Sequence, residues 1–191
     1  MIAAFTRGPD DTVHVELQAA ESRLLTGLFG DLLELLLDDV PPGLPDEVDP
    51  LAAELGLNGL GDDTPPARPD DPALARLFPD AYPDDPDATA EFRRYTQPDL
   101  STERRRRAAV AVETLERVSD GGRLSLAADE AAAWLGALND LRLVLGTRLE
   151  ITKDDQEPGE GFGPGDPRTA YVPVYYYLGY LQETLVESLG G

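Results

Sequence analysis

Cysteine is absent from this chain, and histidine, lysine, methionine and tryptophan each occur once. Without a thiol there is no disulfide, no thiolate metal site, and no thiol nucleophile or thiol redox switch. A lone His14 cannot build a His-based metal cluster and argues against a Ser-His-Asp arrangement. No window approaches the roughly 18 uninterrupted apolar residues of a membrane span, and the opening MIAAFTRGPDD lacks the apolar core of a secretory signal. The sequence therefore predicts a cytoplasmic protein. Phosphate loops are missing too: GFGPG at 161–165 has no strand before it or helix after it, and no G-x-x-x-x-G-K-[ST] occurs. The Asp-rich DAYPDDPD lacks the glycine and closing glutamate of a calcium loop. These absences predict a non-enzyme with no catalytic, cofactor-binding or metal-binding residues.

Acid is plentiful. The formal net charge is −21, and residues 40–91 hold 13 acidic against 2 basic residues, whereas residues 92–121 hold 5 acidic against 7 basic. Such an envelope repels nucleic acid, since non-specific affinity comes from Lys and Arg neutralising phosphates. Direct DNA contact is disfavoured by this charge and would need a local basic face. Only Lys153 among the 16 basic residues is lysine, the Arg-for-Lys and Ala-rich bias of a GC-rich source.

A length of 191 residues fits one domain, residues 1–191, and a chain of that size can bury roughly 70% of its unfolded surface. Within residues 1–17, Ile2–Thr6 and Thr12–Leu17 flank the turn residues GPDD and read as a hairpin. From Ala19 to about Asp39, Leu24, Leu28, Leu32, Leu35 and Leu36 recur at helical spacing. Residues 40–73 are rich in Pro and Asp and read as an exposed loop, or as an acidic docking segment for a basic partner, with a short helix near Leu51–Leu57. Helices are predicted over 72–80, 86–96 and 98–119; DGGR then turns into a long helix from about Leu126 to Ile151. A Gly/Pro/acidic loop follows over 152–169, and a last helix over about Pro173–Leu189, with Val174, Leu178, Leu181, Leu185 and Leu189 as its stripe. The fold class is mainly α, a helical domain with a small N-terminal β-hairpin.

Three groups of residues stand out. Arg104–Arg107, with Arg93 and Arg94 upstream, form the largest run of positive charge. Four consecutive helical residues sweep about 300°, so one or two must lie beside the core stripe of Ala108, Val112, Leu115 and Val118 with heads reaching for an acid. The others form a solvated or salt-bridged face, a protein-partner patch, or a nucleic-acid contact. Asn139, Asp140 and Arg142 interrupt the apolar row of Trp134, Leu138, Leu141, Leu145 and Leu149, and read as a structural polar network or as the lining of a ligand or partner site. Gly136 and Gly146 read as points of close helix approach. Tyr175, Tyr176 and Tyr180 suit core packing with partial exposure or an interface, and are compatible with a homodimer through the last helix.

LARLFPDAYPDDPDATAEFRRYT (74–96), AAWLGALNDLRLVLGTRLEIT (132–152) and YYYLGYLQETLVESL (175–189) resemble, in the same order, the actinobacterial AosR family, long known only as a domain of unknown function. The resemblance implies a cytoplasmic regulator of the oxidative-stress response that works with a sigma factor and RNA polymerase. It also implies a redox signal carried by an intramolecular disulfide, for which this sequence has no cysteine. A partner then senses the signal, or regulation is constitutive, or the redox branch is lost. An acidic protein with a small arginine patch suits protein contact better than phosphate contact, which makes Arg93, Arg94, Arg106 and Arg107 the candidate partner contacts. The competing reading is a non-enzymatic interaction adaptor, including one linked to regulated proteolysis.

Overall fold

The computed structural model describes residues 3–37, 68–152, 158–159 and 161–190. Most of the acidic 40–73 segment, including the expected short helix at 51–57, lies outside the described residues, as do 153–157 and 160 of the second loop.

Strand β1 (Phe5–Arg7) pairs antiparallel with β2 (Val13–Gln18), in a register that sets Phe5 against Val15 and Arg7 against Val13. The link contains a 3₁₀ turn at Pro9–Asp11, closed by Gly8 N–H to the Thr12 carbonyl at 2.7 Å and by an Arg7–Asp11 ion pair at 2.6 Å. Asp11 takes φ 56°, a left-handed conformation that Asp tolerates better than most residues. The expected hairpin is present. A third strand, β3 (Gly121–Leu126), pairs on the other side of β2 with Val15 opposite Leu124. It replaces the simple turn expected at DGGR. Gly121 and Gly122, at φ 86° and 129°, supply the turn, and the strand that follows has only Leu124 and Leu126 facing inward. Period-two alternation turns Phe5, Val13, Val15, Leu17, Leu124 and Leu126 to one face, where all are buried.

Helix α1 (Ala19–Leu37) starts where Glu21 reaches back to the Gln18 N–H at 2.8 Å, and its other oxygen accepts from Ala3 N–H. Its buried row is Ser22, Leu25, Phe29, Leu32 and Leu36. The expected stripe is thus rotated: Leu24 is exposed, while Leu28 and Leu35 pack at the margin. Helix α2 (Pro72–Leu77) has proline in its first turn and Asp71 as cap, accepting from Ala73 N–H at 2.7 Å.

Helix α3 (Pro86–Glu116) is continuous, so the break expected between 96 and 98 does not occur. Pro98 removes one hydrogen bond and points to solvent. Running on through it keeps Thr89, Arg93, Gln97 and Ser101 on the same inward side as Ala108, Ala111 and Leu115 further along. Helix α4 (Ala128–Arg148) begins with Glu130 accepting from the Ala127 N–H at 2.9 Å. It packs against α1, α2, α3 and α5 (Val172–Gly190). In α5, Leu178, Leu181, Leu185 and Ser188 face the core, and Leu189 lies more exposed than its place in the expected stripe implies. Thr184 Oγ1 accepts from Phe5 N–H at 3.1 Å, so the helix also satisfies part of the sheet's open edge.

The protein is mainly α with a small antiparallel sheet. Trp134 sits where α4, α1 and the sheet meet, fully buried and edge-on to both Phe5 and Phe29. Among the described residues no helix is long and apolar enough to cross a membrane.

Candidate functional site

The turn of α3 distributes the four arginines over its circumference. Arg104 faces inward, in an ion pair with the buried Asp140 of α4; its second amino group donates to the Leu77 carbonyl at 3.0 Å. Arg105 folds back to the Ser101 carbonyl. Arg106 and Arg107 share Glu103, with N–O distances of 2.8–2.9 Å. Hydrogen bonds from these two guanidinium groups hold the Glu103 carboxyl down at about 2.

Arg93 does not belong with them. It is buried and donates to Asp80 at 2.5 Å and to the Phe78 carbonyl at 3.4 Å, so it ties α3 to the segment after α2 and is unavailable as a partner contact. That correction follows from helix phase, which puts position 93 on the inward row with 97 and 101. Arg94 is half-buried, its guanidinium 5.5 Å from the Tyr95 ring centroid.

Asn139 stays beside Asp140, its side-chain amide hydrogen-bonding the carboxyl, while Arg142 points elsewhere. Asp140 turns to α3. Burial pushes its carboxyl up from the ordinary value of 3.8, against the opposing pull of Arg104. Arg142 turns to α5, where it donates to Gln182 Oε1 at 2.6 Å and lies 5.3 Å from the Tyr175 ring centroid. Asn139 lines a groove with Arg107. Gly136 explains how Arg107 crosses α4: a Cβ there would fall 2.7 Å from Arg107 Cδ. Gly146 meets nothing closer than the Tyr175 ring at 3.5 Å, an ordinary contact, so it is not a point of close approach.

Because Arg142 joins α4 to α5 by a charged hydrogen bond and by stacking, Arg142→Ala is expected to cost about 1–2 kcal/mol. A thermal melt should drop by about 2–8 °C. An unchanged melting temperature would show that this contact does not hold the helices together.

Two adjoining recesses run over α3, α4 and α5. One, of about 490 Å³, is lined by Arg106, Arg107, Gly136, Asn139, Gln182 and Val186. The other, of about 630 Å³, shares Gln182 and Val186 and is walled by Arg142, Tyr175, Tyr176 and Tyr180. Both are open. Tyr176, Tyr180 and Val186 are exposed along the rim. Arginine and tyrosine beside small apolar surface is the side-chain chemistry of protein interfaces, and the shape is a shallow groove instead of an enclosed ligand cavity. Among the described residues no cluster of His, Asp or Glu could hold a metal ion. His14 lies in the hairpin with Nε2 3.3 Å from Thr12 Oγ1.

Sequence reasoning placed Arg106, Arg107 and Tyr175, Tyr176 and Tyr180 on separate helices without relating them; the structure brings them onto one surface. It missed Gln182 and Val186, which join the two recesses. Gln182 gave no signal, since its role depends on Arg142 crossing from α4.

The family described as "Domain of unknown function (DUF2017)" matches residues 2–189. The chain is 36% identical over 185 residues to the oxidative stress regulator AosR of Mycobacterium tuberculosis, covering 90% of this chain and 79% of that protein. The same figures hold for the oxidative stress regulator AosR of Mycobacterium bovis. No solved structure matches significantly.

Proposed function

This chain belongs to the DUF2017 family, and from that membership we propose that it is a cytoplasmic, non-enzymatic transcriptional regulator of the oxidative-stress response, acting by contact with a sigma factor and RNA polymerase. The observation that carries this reading is the near full-length similarity to proteins named as oxidative stress regulators. The groove over α3, α4 and α5 supports contact with protein. Of its three cations, Arg106 and Arg107 are already shared with Glu103 and Arg142 is bonded to Gln182, and the chain's −21 charge opposes a phosphate backbone. With no cysteine in these residues, the oxidant acts on a partner, or regulation is constitutive, or the redox branch is lost.

The test is recovery of the tagged protein from its own cells, with and without peroxide, followed by mass spectrometry. RNA polymerase and a sigma factor are expected among the partners. Arg106→Ala/Arg107→Ala should cut their recovery by about tenfold or more while lowering the melting temperature only slightly, because Arg106 is exposed and the ion pairs that both make with Glu103 lie at the surface. Recovery of a protease in place of polymerase would favour the adaptor reading. Promoter-DNA affinity that collapses with added salt would favour direct DNA binding.

A further inference from the structure

The first half of α3 is amphipathic in the reverse of the usual sense. Its inward row is polar: Thr89, Arg93, Gln97 and Ser101 are all buried at intervals of four residues. Thr89 and Arg93 grip the segment that follows α2. Thr89 Oγ1 accepts from Tyr82 N–H at 3.2 Å and donates to the Tyr82 carbonyl at 2.7 Å, while Arg93 holds Asp80 and the Phe78 carbonyl.

The rings lie outside. Phe92 is 44% exposed, Tyr95 66% and Tyr82 50%. Tyr82 meets Phe92 edge-on at 6.0 Å, and Tyr95 follows Phe92 by three residues on the same helix, so the rings are neighbours on one exposed side. Having its anchoring done by polar groups, this half-helix owes little of its own packing to them. Exposed acidic residues flank the rings along the chain at Asp84, Asp85, Asp87, Glu91 and Asp99. The Arg94 guanidinium over Tyr95 shows what such rings accept.

We propose that Tyr82, Phe92 and Tyr95 form a docking surface for a basic segment of a protein partner, whose Arg or Lys side chains lie over the rings and between the carboxylates. Charge selects this occupant: nucleic acid is repelled, and a second copy would set the same carboxylates face to face. The surface shares no residue with the groove over α3, α4 and α5, so either can fail without the other.

The probe is a fluorescein-labelled peptide of arginine, leucine and alanine, titrated by anisotropy against the full-length protein at physiological salt. Phe92→Ala/Tyr95→Ala, which leaves the charge unchanged, should weaken binding by about tenfold or more. Tyr176→Ala/Tyr180→Ala should not change it. Glu91→Arg, which keeps the rings, should weaken it several-fold. Circular dichroism and Trp134 fluorescence establish that each variant is folded; the exposed Glu91 gives a second route should the ring variant fail to fold. No binding by the wild type overturns the proposal, as does equal affinity with and without the rings, which would mean charge alone holds the peptide. An equal loss from Tyr176→Ala/Tyr180→Ala overturns it too. So does sedimentation showing a wild-type dimer that Phe92→Ala/Tyr95→Ala dissolves, because the occupant is then a second copy.

Discussion

Trp134→Ala is expected to remove about 4 kcal/mol of folding stability. Trp134 is fully buried, and its ring makes edge-on contacts with Phe5 at 5.7 Å and Phe29 at 5.3 Å, so one side chain joins α4 to the sheet and to α1. It also reaches α3, where its indole N–H donates to Thr114 Oγ1 at 2.8 Å. Truncation loses the transfer free energy of a large ring, leaves a cavity among elements that are fixed by other contacts, and deprives the buried Thr114 of its donor. Trp134→Phe keeps much of the ring and loses the N–H, so it should cost about 1–2 kcal/mol. Leu24→Ala, on the exposed side of α1, should stay within about 0.5 kcal/mol of wild type. The measurement is denaturant unfolding followed by far-ultraviolet circular dichroism, since the two Trp134 variants remove the chain's single tryptophan. A cost below about 1 kcal/mol for Trp134→Ala would place the centre of the core elsewhere.

The contrast between Trp134 and Leu24 shows how far the sequence can be read. In α4, one tryptophan and a row of leucines mark a single face, and that face is buried at Trp134, Leu138 and Leu141. In α1, leucines occupy positions 24, 25, 28, 32, 33, 35, 36 and 37, enough to draw a stripe at more than one phase. Phe29 and the sheet above it decide the phase, and they are tertiary facts. β3 was illegible for a related reason. A strand with two inward residues has little periodicity, and its partner β2 lies over 100 residues away in sequence. For the arginine run, the sweep of a helix requires that at least one side chain point inward. That it is Arg104, and that Asp140 waits there, depends on the packing of α3 on α4. Arg93 was misjudged because its acid, Asp80, lies in an irregular segment whose path no local pattern gives.

Arg104→Met is expected to cost about 3–5 kcal/mol at neutral pH, and more than Asp140→Asn. The two ends of this pair are unequal. Arg104 keeps some access to water, with 18% of its side chain exposed, whereas Asp140 is 1% exposed. Removing the cation leaves a carboxylate that cannot reach solvent. Neutralising the acid leaves a guanidinium that still donates to the Leu77 carbonyl, lies beside the Phe78 ring and touches water, so Asp140→Asn should cost about 1 kcal/mol or less. The pH dependence separates this account from simple loss of packing. Burial already pushes the Asp140 carboxyl above 3.8, and without Arg104 nothing of comparable strength opposes that push. The folded variant then binds a proton that the unfolded chain has released, so its stability falls as pH rises from 3.8 through the raised folded-state value. Its deficit relative to wild type should be largest at about pH 7 and shrink toward about pH 4. Arg104→Met/Asp140→Leu removes both charges and should recover most of the loss, with no such pH dependence. Denaturant titrations of the variants at the two pH values, read by Trp134 fluorescence, measure all of this. A deficit that is constant with pH and remains in the double variant would mean that Arg104 contributes through its stem, and that the ion pair to Asp140 adds little.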